Sequence, residues 1–422
     1  MTTMKVEYDI PLSKNIRHLG RLEIPGGGQV VVEGDFAYVG HMKPPHGTSI
    51  IDISNPTDMR VIAHIDPPEW SHTHKVRVAG DLMVTNVEQD RRHFLRKGDK
   101  IPDLRAANKS DEEIVEYLGV AVTDIPDLDA ARDRGYECGG FRVWDISDKS
   151  APKLLSYVKT HGFGTHRFDM DARFAYISTE MEGYVGNILV IYDLADPTAP
   201  REVSRWHMPG QHVAAGETPT GIGYSHRLHH AMRCGDELWA AVWHAGLRVL
   251  DCGDMANLNQ VGSYIWPTAI PEPTHTVMPL EQLINARRYA VAIDEEHAHV
   301  PGRLHGFIWV MDVTDLNAME PVAAWDLSER ACPFVGEAGV RFGAHQFRER
   351  LDSTLVFATW FAGGLRVLDL ANPLLPQEVA YFMPERSADG LAPQSNDVDV
   401  DDRGRIYLLD RVSGLDILEL DI

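Results

Sequence analysis

Ser49-Ile50-Ile51-Asp52 is a short apolar run closed by an acid, and the chain repeats it. It returns as Arg142-Val143-Trp144-Asp145, Val190-Ile191-Tyr192-Asp193, Arg248-Val249-Leu250-Asp251, Trp309-Val310-Met311-Asp312, Arg366-Val367-Leu368-Asp369 and, with Glu for Asp, Asp416-Ile417-Leu418-Glu419. The closing acids of these seven copies lie 93, 48, 58, 61, 57 and 50 residues apart. All intervals but the first suit a repeated four-stranded unit with variable loops. A repeat that runs through all 422 residues predicts one closed body in place of two or three separate domains.

Between copies the chain reads as short strands separated by turns. Val30-Val31-Val32 and Phe36-Ala37-Tyr38-Val39 flank Gly34-Asp35, a two-residue turn of the hairpin kind. The pattern recurs around Gly80-Asp81, Ala172-Arg173, Gly235-Asp236 and Arg403-Gly404. After the acid come turns such as Ser54-Asn55-Pro56, Asp196-Pro197 and Ala371-Asn372-Pro373, in which proline fixes φ and the Asx side chain bonds the local backbone. Each unit is therefore an inner strand, a hairpin, a second strand, a loop, the motif strand and an outer strand. Seven such units predict an all-β fold, a seven-bladed β-propeller of four-stranded blades spanning 1–422. The chain stops just after the last motif strand, so the missing outer strand is expected from 17–24, which closes the ring.

With this motif the chain resembles the LVIVD-repeat proteins, bacterial β-propellers, and six of the seven copies keep the Asp. The resemblance implies the fold and leaves the chemistry open, because propellers host many functions.

The long first interval places about 40 extra residues at 90–139, between the second strand and the motif strand of the second unit. Ser110 followed by Asp111-Glu112-Glu113 predicts a capped helix over 111–118, with Glu113 closing a capping box. The insertion is expected to be a partly helical lid over the central channel.

With 62 acidic against 40 basic residues, the net charge is −22, which argues against nucleic acid or an anionic membrane as partner. Residues 1–14 carry no apolar run long enough for a signal peptide, and no later stretch is long enough to span a bilayer, so a cytoplasmic location is expected. Cys138, Cys234, Cys252 and Cys332 stand apart with no CxxC pair and read as free thiols.

The chemistry lies in the 20 histidines. His74, His166 and His229 each precede their hairpin turn by six residues, and His275 and His345 stand at the corresponding place of the fifth and sixth units. The first unit has Gly27-Gly28 there and the seventh Asn396-Asp397. The start of an inner strand faces the channel, so these imidazoles should converge on the axis. Neutral imidazoles in that number suit one transition ion, Fe(II) first, with Mn, Cu or Zn as alternatives, and do not suit Ca or Mg.

Loops on the same face bring His41, Glu88, Glu180, Glu182, His244, Glu295, Glu296, His297, His299, Trp360 and Asp410-Arg411. Of these, Glu88, Glu180, Glu296 and His244 are the candidates for acid–base work beside a metal held by His74, His166, His229, His275 and His345. His72, His226 and His230 lie close by in sequence, and a one-residue error of register exchanges the faces on which they fall.

A histidine-held ion on a seven-bladed propeller is similar in architecture to the carotenoid and stilbene cleavage oxygenases and, in outline, to the selenium-binding, methanethiol-oxidising propellers. These resemblances imply oxidative chemistry on a small, apolar or aromatic molecule. A redox-neutral lyase or hydrolase, and a non-catalytic interaction scaffold, are the other two expectations. Substrate and oligomeric state are not legible.

Overall fold

The acid that closes each copy of the repeat turns the chain. In the computed structural model, Asp52, Asp145, Asp193, Asp251, Asp312 and Asp369 each accept the backbone N–H two residues ahead at 2.8–3.0 Å. This Asx turn satisfies a backbone donor and ends the strand. The last copy has Glu419 instead, and no further strand follows it before Ile422.

The structure describes residues 12–220, 226–267, 270, 272–297 and 299–422; most of the N-terminal stretch 1–14 read above lies outside them. It is largely β, built of antiparallel four-strand meanders. The first comprises Gly27–Glu33, Phe36–His41, Thr48–Asp52 and Arg60–Ile65. The others start with Val76–Ala79, His161–Met170, His230–Cys234, Thr274–Pro279, Ala344–Phe347 and Ser395–Val400. Every copy of the repeat lies on the third strand of a meander, as the sequence predicts.

In the last meander, Ser395–Val400, Arg405–Asp410 and Ser413–Leu420 are completed by Ile16–Pro25, which pairs antiparallel with Ser413–Leu420. The starting strands touch one another in chain order, and Ser395–Val400 touches Gly27–Glu33, which gives a propeller-like closure. The junction is apolar: Val30, Ala37, Val39 and Ile51 pack against Tyr407, Leu409, Leu415 and Ile417.

The 90–139 segment is more helical than expected. Besides Asp111–Leu118 it holds Arg92–Leu95, Ile101–Ala106 and Ile125–Arg134. The capping box forms as predicted, with Ser110 Oγ accepting the Glu113 N–H and Glu113 accepting the Ser110 N–H. The extra helices form because the segment has a small core of its own, made by Ile101, Ile114, Leu118, Ile125 and Leu128. Among the described residues no helix is long and apolar enough to cross a membrane. The four cysteines are unpaired.

Ile417 is fully buried at the closing junction. Ile417→Ala is expected to lower stability in urea by about 2–5 kcal/mol. Removal of residues 12–25 should cost more and promote self-association, because it bares the edge of Ser413–Leu420. Unchanged urea midpoints in both variants would show that the ring does not depend on this closure.

Candidate functional site

One irregularity recurs at the start of the inner strands. Pairing jumps from Gly27 to Gln29, from Thr165 to Arg167, from Thr274 to Thr276, from Ala344 to Gln346 and from Ser395 to Asp397. The residues left out of the ladders are Gly28, His166, His275, His345 and Asn396. His74 falls between the short strands Ser71–His72 and Val76–Ala79, and His229 immediately precedes His230–Cys234. A bulge re-aims a side chain that would otherwise lie on one face of its sheet. Here the bulged position supplies the wall of the channel.

The five predicted histidines are neighbours. Ring centroids lie 5.3 Å apart for His74 and His166, 5.1 Å for His166 and His229, 3.8 Å for His229 and His275, and 4.4 Å for His275 and His345. All five line a cavity of about 440 Å³. Gly28 leaves room for this packing, since a Cβ there would come within 2.8 Å of the His74 side chain.

Hydrogen bonds divide the five into two kinds. His166 Nδ1 faces Glu88 Oε2 at 3.1 Å, His229 Nδ1 the His275 carbonyl at 2.6 Å, and His275 Nδ1 the Thr276 hydroxyl at 2.9 Å. That hydroxyl donates to Gln346 Oε1, so it accepts from His275. His345 Nδ1 bonds the Asn396 carbonyl. In these four the proton sits on Nδ1 and the lone pair on Nε2. His74 is the reverse. Asn86 Oδ1 accepts the Lys75 N–H and its Nδ2 donates to the Thr165 carbonyl, so Nδ2 must also donate to His74 Nδ1 at 3.2 Å.

Beneath this layer the next residues of the inner strands are polar and buried: Gln29, Lys75, Arg167, His230, Thr276, Gln346 and Asp397. Burial, helped by Arg92, lowers the pKa of His166 to about 3. Burial, with Lys75 and Arg341 adding to it, lowers that of His345 to about 3 as well. His74, His229 and His275 are held well below 6.5, again chiefly by burial and then by neighbouring imidazoles and cations. Buried cations below the ring thus favour neutral rings, the form that can bind a metal.

Two carboxylates reach the cavity. Glu88 bonds His72 at 2.9 Å as well as His166, and pairs with Arg92 at 2.8 Å. Burial opposes its ionisation, but Arg92 and His166 hold its pKa well below the ordinary value. Glu295 lies 3.9 Å from His275 Nε2 and 3.8 Å from His345 Nε2, with His297 at 3.4 Å and Arg341 at 3.1 Å. Burial opposes its charge too, and His297 leads the groups that hold its pKa down. Met42 and Trp243 are the apolar side chains of the lining; Arg91, Arg92, Arg341 and Arg411 outnumber the two carboxylates, while burial, with Arg167 adding to it, pushes the Lys75 pKa well below its ordinary value.

The other candidates from sequence lie elsewhere. Glu180 pairs with Arg96 and Arg227 and accepts the Phe163 N–H, tying the insertion to the third meander. Glu296 accepts the N–H groups of Phe342 and Gly343 at 2.5 Å each and faces His305 at 2.6 Å. His244 is not among the residues lining the cavity, whereas its neighbour Trp243 is. The sequence singled out Glu296 where the structure brings Glu295, because neighbours in an extended loop point opposite ways. Arg92 and Arg341 were missed as lining residues; Arg411, just after the second strand of its meander, lies on the channel-face loop where the sequence places it.

Buried His and Glu clusters that could hold a metal ion, each with donor atoms within 4.8 Å of one another, are His72, His74 and Glu88; His275, Glu295 and His345; and Glu296, His299 and His305. The first two line the cavity.

The family described as LVIVD repeat matches residues 27–66 and 137–160. Among solved structures, a computationally designed protein, Ika8, is similar with a TM-score of 0.50 at 9% identity, covering 95% of this chain and 98% of that one. Raptor of Chaetomium thermophilum is similar with a TM-score of 0.54 at 11% identity, covering 96% of this chain and 29% of that one. The fold is of propeller type. At these identities the likeness concerns fold alone, and no curated protein matches the sequence.

Histidines whose pKa is lowered on folding stabilise the protein above their unfolded value and lose that contribution as protons are forced on. For His166 and His345 the window runs from about 6.5 down to about 3. Asp294, pushed up to about 8 by burial, works in the opposite sense and loses its contribution as pH rises toward that value. The chelator-treated protein should therefore weaken steadily in urea as pH falls from about 6.5 to about 4.5, and His345→Asn should flatten that decline. Parallel profiles for the two proteins would show that His345 is not buried neutral.

Proposed function

We propose that the chain is a seven-bladed β-propeller enzyme with one transition-metal ion on its axis, the 90–139 segment standing over the channel as a lid. One observation carries the metal. His275 Nε2 and His345 Nε2, both lone-pair atoms, face the Glu295 carboxylate across 3.9 and 3.8 Å. Acceptors aimed at one space favour a cation; Arg411, 3.3 Å from His345 Nε2 and 3.6 Å from Glu295, reaches two of them, and neutral imidazoles with a carboxylate suit a borderline transition ion in its place.

The four rings that carry the lone pair on Nε2, His166, His229, His275 and His345, are the ligands on this reading; Arg411 stands 3.3 Å from His345 Nε2 and Arg92 3.5 Å from His166 Nε2, so both guanidiniums would swing aside for the ion. His74, whose Nδ1 lone pair is taken by Asn86, belongs to the wall. Glu88 behind His166 fixes its tautomer, a carboxylate–histidine arrangement of the kind that orients metal ligands. Fe(II) is the ion we favour, and the chemistry such an ion supplies is oxidative, of oxygenase or oxidase type. The nearness of Glu295 favours a second reading, proton transfer in a redox-neutral lyase or hydrolase, in which the ion serves as Lewis acid.

The chain's own groups set the substrate. The architectural resemblance implied an apolar or aromatic molecule, but four arginines, Arg91, Arg92, Arg341 and Arg411, against Glu88 and Glu295 favour a small anion, a carboxylate or a phosphate ester. Arg341 and Arg411 stand beside Glu295 at 3.1 and 3.6 Å, where they would orient such a group next to the carboxylate that moves the proton. Arg91 and Arg92, at the start of the insertion, would carry the lid toward the bound anion.

Untagged protein should hold one transition ion per chain bound at this centre, and His275→Ala should lose it while keeping its fold. Oxygen consumption with small carboxylates then separates the oxidative from the redox-neutral reading. A folded protein that takes up no stoichiometric ion from Fe(II), Mn, Cu or Zn would sink the proposal in favour of a scaffold. Arg341→Met should raise KM for an anionic substrate by about 10-fold or more, the loss of one charge-assisted contact.

A further inference from the structure

Glu296 faces away from the cavity into a second cluster on the same loop. Its Oε1 lies 2.6 Å from His305 Nδ1 and 3.5 Å from His299 Nδ1, while Oε2 is held by the Phe342 and Gly343 N–H groups. His305 Nε2 lies 2.9 Å from Glu329 Oε1. The two imidazoles stack at 5.2 Å with 12° between their planes, against the edge of Phe342.

The side chains of Glu296, His299 and His305 keep 1%, 7% and 7% of their surface. His299 is the anomaly. Both of its ring nitrogens are buried without a hydrogen-bond partner, although one must carry a proton or a lone pair that water would satisfy. A buried imidazole with nothing to bond is destabilising unless something completes it.

We propose that Glu296, His299 and His305 bind a second divalent ion, of the zinc class, independent of the axial one. The donor atoms already lie within 4.8 Å of one another. Two imidazoles and a carboxylate are a zinc donor set, with water free to take the fourth position. The surroundings support each ligand. Glu329 accepts the remaining N–H of His305, and two backbone N–H groups fix the far oxygen of Glu296. Gly343 is required for that cradle, since a Cβ there would stand 2.8 Å from Glu296 Cβ.

The ion would join three separate parts of the chain. Glu296, His299 and His305 come from the loop 295–306, of which residue 298 is not described. Glu329 lies on the short helical turn Glu329–Ala331, and Phe342 and Gly343 lead into Ala344–Phe347 and so to His345. Glu295 and His297, on either side of Glu296, line the axial cavity. The second ion would therefore clamp the loop that presents them.

The alternative is a metal-free cluster in which His305 is an imidazolium between two carboxylates and His299 is a packed, unbonded ring. The two predict opposite effects of His299→Ala. With zinc, the variant loses one ion per chain, melts lower, and no longer gains melting temperature when zinc is added to chelator-treated protein. Without it, the variant keeps the wild-type metal content and melts at the same temperature or higher, which would overturn the proposal. To separate this from the axial centre, His275→Ala protein should still bind one zinc and His275→Ala/His299→Ala none. In Co(II)-loaded His275→Ala protein, visible bands of low-coordinate cobalt should persist and should vanish when His299→Ala is added; their absence from the His275→Ala protein would also refute it.

Discussion

Five imidazoles packed in a row at centroid distances of 3.8–5.3 Å can share that space only if they are uncharged. Much of the interior follows from this constraint. Lys75 and Arg167 lie in the layer beneath and add to the cost of protonating the rings. Carbonyl, hydroxyl and carboxylate acceptors take the Nδ1 protons of four rings, which directs their lone pairs into the cavity. The carboxylates that reach the cavity are paired, Glu88 with Arg92 and Glu295 with Arg341.

The backbone device behind this ring is a bulge repeated from meander to meander. A regular strand would send successive side chains alternately into the two inter-sheet cores, where an imidazole would need a partner in apolar surroundings. One unpaired residue at the strand start leaves that alternation, and at His166, His275 and His345 it lines the cavity without disturbing the ladder that follows. Where the bulged residue is Gly28 or Asn396, it serves its neighbours. Gly28 makes room for His74, and Asn396 donates to the Gly28 carbonyl at 2.6 Å and holds Arg411.

The loop 295–306 shows how one short segment can serve two sites. Glu295 and His297 turn to the cavity, and Glu296 turns to His305 and the backbone of the next meander. Alternation in an extended chain is enough to separate them, so a substitution at one site reaches the other through a single peptide unit.

The sequence alone determined the register of the units, because the repeat marks the third strand of each and, in six copies, its closing Asp forms the Asx turn that ends it. It likewise led to the N-terminal strand that pairs with Ser413–Leu420, expected from 17–24 and found at Ile16–Pro25. It also gave the five histidines one position, which needs only their offset from the hairpin turns. Only the tertiary structure decided what those histidines can do. Tautomers depend on partners brought from distant parts of the chain, as Asn396 is to His345 or Glu88 to His166. The choice of Glu295 over Glu296, and the cationic lining drawn from Arg92, Arg341 and Arg411, rest on loop direction and on ring closure. A periodicity of two cannot express these, because a bulge shifts it by one residue where the site begins.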